Sequence, residues 1–232
     1  MAIKDPSSAG GGRILSRSLW FALAAVLAIT MANGARALMQ SSGGPALGAG
    51  SYLSNLGDYG AVPAFYLKDV SGRAVTLGDL AGKYWVANFI FTRCTGMCPT
   101  LTARMASLDQ AMHQAMSRAN DVLLVSFSVD PDWDTPSVLG RYAGEHGAEP
   151  SRWLFLTGSR EDLYRLIGQG FHLNVAEAPP GAASSGDLIT HSDRFVLVDP
   201  VARIRGYYHG TDETSMRRLA EDLERLRRET AR

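Results

Sequence analysis

The chain alternates long apolar runs with segments whose apolar residues recur every three or four positions. The runs predict buried strands, and the recurring pattern predicts helices with one buried face. Beyond the first quarter of the chain, the predicted elements are a strand at 83–91, a helix at 99–119, strands at 122–129 and 153–156, helices at 136–147 and 160–169, strands at 195–198 and 204–209, and a helix at 212–229. Thr135, Ser159 and Thr211 are predicted to cap three of these helices.

Two further segments complete the predicted fold. Residues 65–70 and 73–77 flank the dipeptide Ser71-Gly72, which is typical of a β-hairpin with a tight turn. Residues 171–190 hold short extended pieces around a loop rich in proline, glycine and serine. Strands that alternate with helices, followed by two adjacent strands and a helix, predict an α/β fold with a mixed sheet and helices on both faces. This organisation resembles that of thioredoxin-like domains.

The N-terminal segment has the composition of a membrane signal. Residues 18–35 are almost continuously apolar and would form a helix of about 27 Å, close to the ~30 Å of a hydrocarbon core. Arg13 and Arg17 precede this run, so the positive-inside rule places the N-terminus in the cytoplasm and the rest of the chain outside. Residues 14–37 are therefore predicted to be one transmembrane helix, or a signal peptide cleaved after Ala35-Arg36-Ala37.

This segment divides the chain into four predicted parts. They are a cytoplasmic tail at 1–13, the anchor at 14–37, a flexible tether at 38–60 and a globular domain at 61–232. The formal net charge of the whole chain is zero, which argues against nucleic acid as a partner. We expect a single-pass protein of the bacterial inner membrane with its C-terminal domain in the periplasm.

Cys94 and Cys98 are the only cysteines in the chain, and they follow directly after the strand predicted at 83–91. We expect both on the first turn of the next helix, where residues four apart share a face and the N-terminus favours a thiolate. Two adjacent thiolates suit a soft metal ion or a reversible disulfide. An idle pair outside the cytoplasm would oxidise, and a disulfide across so short a loop would add little stability. A functional pair is therefore predicted.

A histidine is the expected third ligand, because monovalent copper takes thiolates first and imidazole next. The chain has five histidines, at positions 113, 146, 172, 191 and 209. His113 is expected on a solvated helix face and His146 at a helix C-terminus, whereas His172 and His209 lie near the ends of extended segments. His191 stands just before a predicted strand, in a loop that a thioredoxin-like topology places beside the helix with the cysteines.

Three segments and the predicted anchor together resemble the Sco/SenC/PrrC family of copper-binding assembly factors. The segments are FTRCTGMCP at 91–99, SVDPDWDTP at 128–136, and His191 followed by FVLVD at 195–199. The likeness covers roughly residues 61–226 with order and spacing intact. It implies a thioredoxin-like fold with an inserted hairpin at about 171–190.

The resemblance also implies a function. Copper, as Cu(I), Cu(II) or both, would be bound by Cys94, Cys98 and His191. The protein would assist assembly of the copper-bearing subunit of cytochrome c oxidase and exchange copper with other copper chaperones. A carrier of this kind is a binding protein rather than an enzyme.

Two other functions remain open on the sequence alone. A thiol-disulfide reductase could keep the copper-ligand cysteines of the oxidase reduced, since Cys94 and Cys98 on one helical turn would have Cα atoms about 6 Å apart, within reach of a redox-active disulfide. A peroxiredoxin-like peroxidase would use the Thr-x-x-Cys that begins at Thr95, although the upstream proline of such a pocket is absent. Asp130 is a candidate for holding the metal ligands in position or for docking a partner. The methionines at 105, 112 and 116 are predicted to pack in the core, and Met97 to shield the metal.

Overall fold

The computed structural model describes residues 56–115, 121–177 and 189–230 of the 232-residue chain. The predicted tail, the predicted anchor and most of the predicted tether lie outside these residues. Within the described ranges, no helix is both long enough and apolar enough to cross a membrane.

The described residues form short hairpins, a central sheet and four α-helices. The strands are β1 (Tyr66–Lys68), β2 (Ala74–Thr76), β3 (Tyr84–Ile90), β4 (Val122–Ser128), β5 (Trp153–Leu156), β6 (Val175–Glu177), β7 (Ile189–His191), β8 (Arg194–Val198) and β9 (Ile204–His209). The helices are α1 (Cys98–Ala115), α2 (Pro136–Glu145), α3 (Arg160–Arg165) and α4 (Glu213–Thr230), with a 3-10 turn at Leu77–Leu80 and a π-helix at Leu166–Gly170.

The central sheet has five strands in the order β5-β4-β3-β8-β9. β3, β4 and β5 are parallel to one another, whereas β8 runs antiparallel to β3 and β9 antiparallel to β8. β1 pairs with β2, and β6 with β7, as two separate antiparallel hairpins. The predicted mixed sheet, the predicted N-terminal hairpin and the predicted inserted hairpin are therefore confirmed.

The two central strands are buried on both faces, which explains why they read as unbroken apolar runs. Side chains alternate between the faces, so Phe89 and Phe127 share one face, with ring centroids 5.8 Å apart. The ring of Phe171, which follows the π-helix, lies 5.2 Å from Phe89 on that face. On the other face, the Tyr208 hydroxyl donates to Asp222 of α4 at 2.9 Å. The predicted cover on both faces is thus confirmed.

Three local predictions need correction. α1 begins at Cys98, so Cys94 lies in the preceding loop rather than on the first helical turn. The predicted helix at 160–169 is a short α3 that continues as the π-helix. The cap of α4 is Asp212, whose carboxylate accepts from the amides of Thr214 and Ser215, because the hydroxyl of Thr211 donates to Asp193 instead.

Two of the predicted helix caps are confirmed. Thr135 and Ser159 accept hydrogen bonds from the amides of Val138 and Asp162, as capping residues do. Residues 57–62, which include the end of the predicted tether, run beside β9, and the amide of Gly57 donates to the carbonyl of Arg205 at 2.7 Å.

Candidate metal centre

The two cysteines lie where β3 leaves the sheet and α1 begins. The amide of Cys94 donates to the carbonyl of Phe91 at 3.2 Å, which makes a turn just after the strand. Cys98 is the first residue of α1, where the helix N-terminus favours a thiolate. The two cysteines form no disulfide with each other. Both are buried, Cys94 at 7% exposure and Cys98 at 1%.

A buried carboxylate holds the loop before Cys94. Asp134 is fully buried in the turn between β4 and α2. It accepts hydrogen bonds from the hydroxyl of Thr92 at 2.6 Å, from the Thr92 amide at 3.2 Å and from the hydroxyl of Ser128 at 2.7 Å. Burial raises the pKa of Asp134, and the hydrogen bonds from Thr92 and Ser128 oppose that rise. The loop is thereby tied to the neighbouring parallel strand.

A second buried carboxylate holds the residue that immediately precedes Cys94. Asp130 accepts a hydrogen bond from Nε of Arg93 at 2.6 Å and forms an ion pair with it. The Asp130 amide donates to the same Ser128 hydroxyl at 3.0 Å. The guanidinium carbon of Arg93 lies 5.0 Å from the ring centroid of Trp133. Asp130, the candidate support for the metal ligands, therefore contacts the cysteine loop through Arg93.

Tyr142 of α2 approaches the site from the helix side. Its hydroxyl lies 2.7 Å from the hydroxyl of Thr102, one turn beyond Cys98 on α1. Burial raises the pKa of Tyr142 to about 12, and negative charge on Cys98 and Cys94 adds to the rise. Tyr142 is therefore a neutral hydroxyl in the neighbourhood of both thiols, and the sequence analysis did not identify it.

His191 is the last residue of β7, where it pairs with Val175 of β6. β8 begins at Arg194 and runs antiparallel to β3, so the start of β8 lies at the sheet edge where β3 ends and the cysteine loop begins. Gly210, Phe195 of β8 and Leu101 of α1 are packed closely at this edge, since a side chain on Gly210 would collide with the other two residues. Topology thus brings the start of β8, three residues after His191, to the same edge as the cysteine loop.

Within the described residues, no three histidine, cysteine, aspartate or glutamate side chains form a group that could hold a metal ion. The structure describes His191 by its backbone alone, so the set of Cys94, Cys98 and His191 stays a prediction. Asp130, as a support for that set, stays a prediction as well.

The other histidines that the structure describes have separate roles. His146 ends α2 as predicted, and its ring centroid lies 4.5 Å from that of Tyr142. His172 is exposed and has a left-handed backbone with φ of 55°. Nδ1 of His209 lies 3.1 Å from a carboxylate oxygen of Asp193. Met105 and Met112 are buried in the core as predicted, whereas Met97 is exposed beside the cysteines.

Comparison with known proteins identifies the same family by a family model and by individual relatives. The SCO1/SenC family model matches residues 56–228. The SCO1 protein homolog of Bacillus subtilis (strain 168) is 31% identical over 163 residues, which is 70% of this chain and 80% of that protein.

Solved structures of similar sequence share the fold. A SCO1/SenC family lipoprotein from Bacillus anthracis is 32% identical with a TM-score of 0.64, over 72% of this chain and 94% of that one. BsSco, described as a member of the Sco family of cytochrome c oxidase assembly proteins with a disulfide switch, is 30% identical with a TM-score of 0.62, over 73% of this chain and 94% of that one. Bradyrhizobium japonicum ScoI with copper bound is 26% identical with a TM-score of 0.59, over 72% of this chain and 99% of that one.

The tie between Thr92 and Asp134 gives a testable prediction. Thr92→Val removes the hydroxyl that donates to a buried carboxylate, so the free energy of unfolding should fall by about 1–3 kcal/mol. Thr92→Ser keeps the hydroxyl and should lose clearly less. Chemical denaturation of the two variants and the wild type, followed by tryptophan fluorescence, measures the difference. Equal destabilisation by both variants would show that the hydroxyl does not hold the loop.

Proposed function

The chain belongs to the SCO1/SenC family, and we propose that it is a membrane-anchored copper chaperone that assists assembly of the copper centre of cytochrome c oxidase. The observation that carries the proposal is the position of Cys94 and Cys98, two buried cysteines without a disulfide where a central strand runs into a helix. The relative ScoI from Bradyrhizobium japonicum has copper bound, and the relative BsSco belongs to a family of cytochrome c oxidase assembly proteins, which supports the cargo and the partner.

The donor set suits copper as cargo. Thiolates are the ligands that Cu(I) prefers, and an imidazole is a suitable third ligand. Cys94, Cys98 and His191 would hold the ion in a low-coordinate site with a net charge of −1. Because Cys94 lies in the loop before α1 and is the less completely buried of the two residues, an incoming thiolate from an acceptor would replace Cys94 first and Cys98 last. The loop contacts of Thr92 and Arg93 would keep the two sulfurs in place during this exchange.

We also propose that residues 14–37 keep the protein on the inner membrane, with the copper site in the periplasm. The apolar run and the preceding arginines support this location. A relative from Bacillus anthracis is described as a lipoprotein, which supports attachment to a membrane by the family.

A second function uses the same residues. A thiol-disulfide reductase needs one accessible cysteine that attacks and one shielded cysteine that resolves the mixed disulfide. The relative BsSco is described as having a disulfide switch, which favours this candidate, and Cys94, in the loop before α1, would be the attacking cysteine. The reductase would keep the copper-ligand cysteines of the oxidase in the thiol form.

Copper binding by the cysteines is the first test. The reduced full chain in detergent should bind one Cu(I) per chain. Cys94→Ala and Cys98→Ala should each abolish tight binding, because one thiolate cannot hold Cu(I) against a competing chelator. Thr100→Ala, a change in an exposed residue of the first turn of α1, is the control and should leave the affinity unchanged. Competition titration measures all four proteins, and full affinity in either cysteine variant would refute the assignment.

The role of His191 is tested by the two oxidation states of copper. His191→Ala should weaken Cu(II) binding more than Cu(I) binding, because Cu(I) tolerates two thiolates whereas Cu(II) favours further nitrogen or oxygen ligands. The thiolate-to-copper absorption of the Cu(II) form should shift or disappear. His209→Ala is the matched control, since His209 is held by Asp193. An unchanged spectrum for His191→Ala would point to His172 or His209 as the third ligand.

The physiological role is tested by deletion of the gene. Oxidase activity should fall, and added copper should restore part of it, because a carrier matters most when copper is scarce. Rescue by an external thiol reductant and not by copper would favour the reductase. Normal oxidase activity with sensitivity to peroxide would overturn both functions in favour of a peroxidase.

A further inference from the structure

The guanidinium of Arg93 is partly exposed beside the cysteine loop, where it could contact another molecule. We propose that its guanidinium docks a carboxylate side chain of the polypeptide that exchanges copper with Cys94 and Cys98. The inference rests on the proposed copper exchange and specifies the chemistry of the partner's surface.

The guanidinium of Arg93 is fixed on two sides. Its Nε donates to the buried Asp130 at 2.6 Å, and its carbon lies 5.0 Å from the centroid of the Trp133 ring. The backbone of Asp130 is itself held, because its amide donates to the hydroxyl of Ser128, which in turn donates to Asp134. A guanidinium held in this way has already lost much of its side-chain freedom, so a further contact costs little additional entropy.

The fixed guanidinium keeps donors for another molecule. Arg93 carries five N–H donors in a planar fork. Within residues 56–115, 121–177 and 189–230, Asp130 is its only hydrogen-bond partner, and it uses Nε, so the two Nη groups retain their donors. The side chain of Arg93 is 38% exposed and that of Asp130 is 2% exposed. The outer edge of the fork is therefore open, while the carboxylate that holds it is out of reach.

A carboxylate is the group that this edge fits. Guanidinium and carboxylate match in a bidentate geometry, and such charge-assisted pairs are stronger than neutral hydrogen bonds. Since Arg93 directly precedes Cys94, a partner whose thiolates reach Cys94 would bring neighbouring side chains to Arg93. Trp133, 53% exposed, adds an apolar surface beside the charge. Tryptophan and arginine are the residue types that most often dominate the energy of protein interfaces.

The experiment measures transfer of Cu(I) from the full chain in detergent to two synthetic dithiol peptides. The peptides have the same sequence except that glutamates next to the cysteines in one are glutamines in the other. The wild type should transfer copper to the glutamate peptide about tenfold faster at limiting peptide, which is the effect of ~1.4 kcal/mol from one charge-assisted contact. Arg93→Gln should remove this preference. Arg93→Lys, which keeps the charge and loses the fork, should retain only part of it.

Arg152→Gln is the matched control. Arg152 also pairs with a largely buried carboxylate, that of Asp109, through two hydrogen bonds. It lies just before β5, and β5 is in the parallel part of the sheet, so Arg152 is at the edge opposite the cysteine loop. This variant should keep the tenfold preference.

The outcomes separate docking from other roles. A tenfold preference that persists in Arg93→Gln would overturn the inference. So would an equal slowing of Arg93→Gln with both peptides that leaves their ratio at about ten, because Arg93 would then only hold the loop. A wild type that binds copper without preferring either peptide would overturn the inference and leave the proposed function intact. A wild type that binds no copper would overturn the proposed function and the inference with it.

Discussion

Two buried carboxylates, Asp130 and Asp134, are the constraint on which the cysteine site depends. A carboxylate away from water is costly unless hydrogen bonds satisfy its oxygens. Ser128 from the same turn supplies a hydroxyl to Asp134, and the remaining contacts come from Thr92 and Arg93. The carboxylates are therefore satisfied only when the loop before Cys94 is in its native position. A change that moves the loop before Cys94 would therefore also destabilise the turn that carries Asp130 and Asp134.

Sheet topology explains why these groups meet. β3 and β4 are parallel neighbours with Ile90 opposite Ser128, so the loops that follow them leave from the same edge of the sheet. The amide of Val129 still donates to the carbonyl of Ile90 at 2.9 Å, which keeps the two chains together one residue beyond the strand. The antiparallel β8 starts at this same edge. Open α/β folds bind ligands in such positions, where loops from several strands converge.

Much of this architecture could be predicted from local patterns, and the exceptions share a physical cause. The apolar runs of β3 and β4 predicted their strands because both faces are covered. The cysteine spacing and the family-like segments predicted the candidate site. The contacts of Asp134 with Thr92 and of Tyr142 with Thr102 join residues about 40 positions apart, and such pairs leave no periodic signal.

Competition between nearby groups accounts for the corrected details. Thr211 stands in a capping position by sequence, but its hydroxyl donates to Asp193, just before β8, and the cap is left to Asp212. Cys94 was expected on the helix because four residues span one turn. The loop that carries it is instead drawn toward the carboxylates of the next turn, and the helix starts only at Cys98.

The near-complete burial of Cys98 has a consequence for how a cargo would be retained. If this site holds a metal, a small chelator in solution would meet little of Cys98, whereas a macromolecule that fits over the loop could reach it after displacing Cys94. Retention of the metal would then be kinetic, because the barrier to release would depend on the shape of the recipient. Such a site could bind its ion tightly and still surrender it selectively.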